Sequence, residues 1–463
     1  MRIIFDIFSM ICLTRRLAAS GLLFFIAKNY KIKILFLISY LFAPINSLMN
    51  QFSSSKPKDL PDMIEQLGPI FIKFSQSISA RPDLVGHDVA ISLSKLQDKL
   101  QPFPFSVAKE IIETELRQEF ASIFDFFNEI PVAAASIAQV HQAYLKNGRQ
   151  VAVKILRPDI EYVYKKDIAL LYSMARICNK FIKEARRLKL IEAVHIFEKS
   201  MKFELNLVNE AAACSEFGNN LQKDMGVKIP EIFWDYSTRS VLVLEWIDGF
   251  SIYDIKEIEK HGLNKEEIIR NLVVTFLNQA FRDGFFHADM HPGNILITKK
   301  GELALIDFGI IGMLSEKDQF GLAEILHNII QKDYKRVAEI HVEIGYVPKD
   351  TNIMDFALAV RAAAEPVAGK QIDKISIGHL LENLFKITAD FGMETQPQLI
   401  LMQKTIVVVE GIAKNLVEEV NVWQLAEPWV RKWATRNISF DAKICRLAKH
   451  FIKDLERHYR MMI

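Results

Sequence analysis

A chain of 463 residues, half hydrophobic and a quarter charged, is long enough for two or three domains and too apolar for global disorder. Its formal net charge of +2 excludes nucleic-acid binding driven by bulk charge, so no nucleic-acid partner is expected. Cys12, Cys178, Cys214 and Cys445 show neither CxxC nor metal-ligand spacing, the pattern of free thiols in a reducing compartment.

Residues 1–52 form a segment of their own. LAASGLLFFIA (17–27) and ILFLISYLFAPI (34–45) are apolar blocks separated by KNYKIK. Each is about half of the roughly 20 residues a spanning helix needs. No small-residue cleavage site follows, so a removed signal peptide is not expected. The blocks read as an interfacial membrane anchor or as a pair of core helices. Clustered Arg2, Arg15, Arg16, Lys28, Lys31 and Lys33 favour an anchor on an anionic membrane face. SSSKPKDLPD (53–62) reads as a linker.

A helical extension over 60–128 follows. Ile64, Leu67, Phe71, Phe74 and Ile78 recur at three-and-four spacing, with Gly68-Pro69 kinking or restarting the helix. Lys73 and Gln76 lie off that stripe. The region 129–247 carries strands: IAQVHQAYL and RQVAVKIL flank Lys146-Asn147-Gly148 as a hairpin, and VLVLEW (241–246) is a buried strand after a short one near 232–236. Residues 160–222 are helical in pattern. In 248–463 a helix over 264–283 ends at Gly284, and ILIT and LALID pair as a hairpin turned at Lys300-Gly301. From residue 316 onward the pattern is helical. Strands early and helices late predict an α+β fold of two lobes, a small β-bearing lobe with extra N-terminal helices and a helical C-terminal lobe.

The stretch FFHADMHPGNILI (285–297) places polar residues between apolar runs, a polar loop gripped by two buried elements. Asn294 and Asp307, the latter just before Phe308-Gly309, can converge on magnesium, a hard cation that favours one or two carboxylates, waters and phosphate oxygens. Asp289 is left to orient an attacking hydroxyl or water, and His287 to pin the loop from behind. HxDxxxxN followed by DFG is the protein-kinase signature. Lys154 at the end of VAVK matches the lysine that holds nucleotide phosphates. On the helix FELNLVNEAAAC, Glu204 and Glu210 lie about 120° apart at about 100° per residue, so one lysine cannot serve both. Glu210 is assigned to Lys154, and Glu204 is left for another group such as Lys73.

Several kinase features are missing. PVAAASIAQVH stands where a GxGxxG loop would be, and alanine resists the left-handed conformations glycine accepts, so this loop should be stiff. The loop reads HAD rather than HRD. Only FGIIGMLS separates Asp307 from the next helical pattern, with no APE, so a protein substrate has no platform.

These departures resemble the UbiB-type (AarF domain, coenzyme-Q-related) atypical kinases. FIKFSQSISARPDL (71–84) is similar to the family's KxGQ and RPDL. Its AAASIGQVH loop is matched by Ala133, Ala134, Ala135, Ser136, Ile137, Ala138, Gln139, Val140 and His141. Glu204-Leu205-Asn206 stands for ExD, and EGIAKNLVEEVN (410–421) matches a later helical signature. The resemblance covers roughly residues 60–430. It departs at Ser75 and Ala138, each for a glycine, and at Asn206, for an aspartate whose charge near the metal site is lost.

The resemblance implies ATP and magnesium as cofactors. Lys154 and Glu210 would align phosphates and the 133–141 segment would cover them. The backbones of Glu245 to Ile247 would bond adenine, Asn294 and Asp307 hold magnesium, and Lys73 and Gln76 come over the site. It further implies an ATPase or kinase with a non-protein acceptor, supporting ubiquinone synthesis at the cytoplasmic face of a bacterial inner membrane. Membrane lipids, quinone precursors and other ubiquinone-biosynthesis proteins are the expected partners. Relatives end in two apolar helices; KDLERHYRMMI is no such tail, so attachment would rest on the N-terminal blocks. The alternatives are a nucleotide-gated lipid-binding scaffold without catalysis, and an aminoglycoside-type small-molecule kinase. The latter would lack the KxGQ-like helix and the alanine-rich loop.

Overall fold

The computed structural model describes residues 14–20, 60–79, 87–93, 96, 100–181, 190–368 and 396–437 except 419, with a few positions between 381 and 393. The RPDL stretch, the linker at 53–59, the C-terminal residues after 437 and most of the N-terminal blocks lie outside the described residues. Contacts divide the chain into Met1–Ala212 with Ile232–Trp246, and Ala213–Glu231 with Ile247–Ile463.

The first unit begins, among the described residues, with a helix over 14–20 that packs inward. Ala18 is fully buried and the Arg16 guanidinium meets Asp167 at 2.7 Å. This stretch therefore behaves as a core helix. Gly68, with φ +103°, separates α1 (Leu60–Glu65) from α2 (Pro69–Ser79), so the helix restarts there rather than kinking. Next come α3 (His87–Leu93), α4 (Phe105–Leu116) and the short α5 (Phe120–Ile123).

The sheet of this unit is antiparallel, ordered β1 (Phe124–Phe127), β3 (Ala138–Leu145), β4 (Gln150–Leu156), β6 (Val241–Glu245), with β2 (Ala133–Ala134) paired to β3. Alternation along β4 sends Val151, Val153 and Ile155 to one face, where they meet Ala143, Leu145, Val241, Val243 and the α4 residues Ala108 and Ile112. Each valine, leucine or isoleucine among them contributes about 1.5–3 kcal/mol on burial. Lys154 alternates to the other face, and β4 continues past it to Leu156 instead of ending there. The β3–β4 turn closes through Gly148 N–H to Leu145 O at 2.8 Å, with Gly148 at φ +80°. The strand expected near 232–236 is a 3-10 turn, Trp234–Tyr236. Only Ile232 bridges to Leu244, because the Ser237 hydroxyl accepts the Val243 amide at 3.1 Å and donates to Phe233 O at 2.9 Å.

Helices α6 (Ile160–Phe181), α7 (Leu190–Glu204) and α8 (Leu207–Leu221) follow β4. The single helix expected through FELNLVNEAAAC is broken at Leu205-Asn206. There the Asn206 side chain accepts the Val208 amide at 3.2 Å and the Leu207 amide leaves to Arg239 O at 3.0 Å.

The second unit holds a sheet ordered β5 (Val227–Lys228), β10 (Leu303–Leu305), β9 (Ile295–Thr298), β7 (Gly249–Ser251). A separate pair joins β8 (Phe285–His287) to β11 (Ile311–Met313). After α9 (Ile255–Lys260), α10 (Lys265–Leu277) is capped by the Asn264 side chain and buries Ile268, Ile269, Leu272, Val273 and Phe276. It runs into a π-helical turn, Asn278–Asp283, which stops at Gly284 with φ +64°. A Cβ there would sit 2.8 Å from Leu314 O, so only glycine fits. The remainder is helical: α11 (Glu316–Ile330), α12 (Tyr334–Glu343), α13 (Ile353–Ala368), α14 (Pro397–Leu416) and α15 (Val422–Asn437). Among the described residues no helix is long and apolar enough to cross a membrane.

Candidate active site

In the first unit Lys154 projects from the β4 face opposite the core, and its ammonium donates to both Glu210 carboxylate oxygens, at 2.7 and 2.9 Å. The pair is nearly dry, with 14% of the lysine and 7% of the glutamate side chain exposed. Glu204, at the end of α7, takes Lys73 of α2 at 3.5 Å. Gln76 donates to Leu96 O at 3.3 Å.

The alanine-rich segment is a hairpin rather than an open loop. Ala133 and Ala134 pair with Val140 and Gln139, the Ala135 amide donates to Ala138 O at 2.8 Å, and the Arg157 guanidinium donates twice to Ala135 O. Ser136, Ile137 and Ala138 are buried in this hairpin. Gln139 and His141 are fully buried and directed inward. The Gln139 amide brackets Phe103 through its N–H and carbonyl and donates to His141 Nε2 at 2.8 Å. His141 Nδ1 must then donate to Asn128 O at 2.8 Å, and burial lowers the pKa of this ring, as a neutral imidazole requires. Glu245 ends β6, half-buried, Trp246 N–H donates to Gln150 O at 3.1 Å, and Ile247 is buried.

In the second unit β8 and β9 carry the polar loop between them. His287 is fixed on three sides. Its backbone amide donates to Gln279 Oε1 at 3.1 Å, its Nδ1 accepts the Asp289 amide at 3.1 Å, and its Nε2 contacts Asp307 O. An amide must donate and a carbonyl must accept, so the proton sits on Nε2. Complete burial lowers the pKa of His287, opposed by the Asp289 and Asp307 charges. The side chain is therefore a neutral spacer.

Pro292–Asn294 form a 3-10 turn. The register of β9 against β10 pairs Ile295 with Leu305, and the Ile306 amide to Asn294 O at 3.1 Å extends it by one step. This sets Asn294 opposite Ile306, the residue before Asp307. The Asn294 amide donates to Asp289 O at 3.0 Å and Asp289 Oδ2 at 3.4 Å, which leaves its oxygen turned elsewhere. Asp307 Oδ1 accepts the Gly309 amide at 3.0 Å. An amide oxygen next to a carboxylate fits a hard divalent cation that completes its shell with waters and phosphate oxygens. Among the described residues no three His, Cys, Asp or Glu side chains form a metal cage by themselves.

The ABC1 atypical kinase-like domain profile matches residues 95–341, more than half of the chain, and the UbiB helical domain profile matches residues 360–421. The chain belongs to the ABC1 atypical kinase-like family. ABC1-family relatives named probable protein kinase UbiB include that of Marinobacter nauticus, 40% identical over 428 residues, covering 92% of this chain and 78% of the relative. That of Erwinia tasmaniensis is 43% identical over 384 residues, covering 82% and 70%. A Mycobacterium tuberculosis protein solved in complex with erythromycin aligns with TM-score 0.54 at 21% identity, over 86% of this chain and 97% of that one. At that identity the likeness speaks to fold alone. The fold is α+β and kinase-like, and the role is that of a UbiB-type, kinase-like protein.

Two contacts of the polar loop between β8 and β9 had no warning in the sequence. Gln279, which accepts the His287 amide, lies in the π turn. Lys404 of α14, inside the UbiB helical domain, donates to Asp289 Oδ1 at 3.1 Å. A lysine on an amphipathic helix has no local signature separating it from a solvated one.

Proposed function

We propose that this protein is a magnesium- and ATP-dependent phosphoryl-transfer protein, an ATPase or a kinase with a non-protein acceptor, that supports ubiquinone biosynthesis. In this reading Lys154, aligned by Glu210, neutralises nucleotide phosphates. Asn294 and Asp307 hold magnesium, and Asp289 orients the attacking hydroxyl or water. Magnesium would supply charge neutralisation at the transferred phosphate. The hairpin of residues 133–141 contributes backbone groups, since Gln139 and His141 are engaged elsewhere. The backbones of Glu245 to Ile247 receive adenine. Lys73 and Gln76, with Glu204, occlude the site against a bulky acceptor.

The observation that carries the reading is the second-unit loop. Asp289, Asn294 and Asp307 are gathered around a neutral His287 that positions two of them by hydrogen bonds. The link to ubiquinone rests on the names of the relatives. Attachment to a bacterial inner membrane, and partnership with lipids, quinone precursors and other biosynthetic proteins, belong to the same proposal.

The test is phosphate release by the full chain with Mg-ATP and anionic vesicles, wild type against Asp307→Asn. Loss of about a hundredfold or more in the variant supports the enzyme. Unchanged release defeats it and favours a nucleotide-gated scaffold. Mass spectrometry of quinone intermediates in cells lacking the chain, rescued by either form, tests the pathway.

A further inference from the structure

The two segments that build the catalytic loop supply acids and no cation of their own. Asp289 and Asp307 contribute two carboxylates. Neither FFHADMHPGNILI nor LALIDFGIIGMLS, the segments that build the loop, contains a lysine or arginine. Lys299 and Lys300 lie at the other end of the β9–β10 hairpin, and Lys299 is taken by Asp248 at 2.7 Å. Lys154 and one divalent ion would answer only part of the charge of two carboxylates and a bound triphosphate. Charge building on transferred phosphoryl oxygens is what catalysts of this reaction stabilise.

The fold brings a cation from far along the chain. Helix α14 packs against α10 and β11 and buries Leu399, Met402, Ile406 and Val409. Lys404 stands at the edge of that buried stripe, partly exposed, with its ammonium 3.1 Å from Asp289 Oδ1. The other oxygen, Oδ2, faces the Asn294 amide at 3.4 Å, so the Asp289 carboxylate is held from two sides. If Asp289 orients a nucleophile toward phosphorus, a side chain bonded to Asp289 also lies within reach of the phosphoryl group attacked.

We propose that Lys404 is the phosphate-compensating cation of the catalytic loop, lent to it by the helical domain. It aims Asp289 and meets the terminal phosphate of a bound nucleoside triphosphate. This deepens the function proposed above and rests on it. It gives the helical domain a direct part in the chemistry: anything that shifts α14 also shifts the charge at the loop.

The experiment uses the full chain with Lys404→Met and Lys404→Arg. Phosphate release yields kcat and KM for Mg-ATP, and calorimetry compares Mg-ADP with a non-hydrolysable triphosphate analogue. For Lys404→Met, kcat should fall about ten- to a hundredfold while ADP affinity stays within about twofold, and analogue affinity should fall about tenfold. Lys404→Arg should recover most of each loss, which a mere strut would not show. The proposal is overturned if Lys404→Met leaves kcat unchanged or raises it, the latter making the contact a brake on Asp289. Equal losses in both variants with lowered melting temperatures also overturn it. If the wild type releases no phosphate, the phosphoryl-transfer reading fails separately. Calorimetry then decides alone: a loss selective for the triphosphate supports Lys404 as its ligand, and an equal or absent loss rejects it.

Discussion

Replacing Glu210 by leucine is the sharpest test of the first unit. Lys154 and Glu210 share two hydrogen bonds of 2.7 and 2.9 Å, with only 14% and 7% of their side chains exposed. Removing one partner takes both hydrogen bonds from a charge that water reaches poorly, and such losses cost about 3–5 kcal/mol. Replacing both, as Lys154→Met with Glu210→Leu, removes the charge with the pairing and should return stability to within about 1–2 kcal/mol of wild type. Urea unfolding of the full chain, with hydrogen exchange at β4 and α8 as a local reading, measures both, because a chain of this size need not unfold in one step. A cost under about 1 kcal/mol for Glu210→Leu, the worth of a solvated pair, would refute the reasoning. So would a double variant no more stable than the single.

Further outcomes follow from the same structure. Burial lowers the pKa of His141, His287 and His341 below the ordinary 6.5. The unfolded chain therefore takes up these protons first, and stability that is full above pH 6.5 declines as pH falls below it, by up to about 1.4 kcal/mol per unit for each ring. Melting curves from pH 8 to 5.5 should show this, His341→Gln should make the slope shallower by that ring's share, and a flat wild-type profile would contradict it. Gly312→Ala would drive a Cβ into the fully buried Phe286 ring, so it should cost about 1–3 kcal/mol and loosen β8, read as faster exchange at the His287 amide. Asp307→Asn should abolish phosphate release, and Lys404→Met should lower it with ADP affinity preserved.

What could be read from the sequence was local. Asn147-Gly148 announces its hairpin because few residue pairs accept that turn. The loop at 285–297 stands out because polar side chains interrupt two buried strands. The ion pairs Lys154–Glu210 and Lys73–Glu204 were expected from helical phase along one continuous helix, and both are present although that helix is broken. Separation onto α7 and α8, rather than helical phase, sets the pairing. Asn206, a good helix cap, was the available sign of the break. The three-residue strands β8 and β11 show no alternation, and they exist because they pair with each other. Lys404 lies 115 residues from Asp289 in the chain, a contact that packing alone creates.

The doubly engaged His287 also acts as a gauge block. One ring nitrogen accepts the Asp289 amide and the other donates to the Asp307 carbonyl, so the interval between the two acidic residues is set by the width of an imidazole. The length of chain joining them is then free to vary. Extra residues at the Lys299-Lys300 tip would lengthen the hairpin without moving either carboxylate, whereas a smaller side chain at position 287 would let the interval collapse.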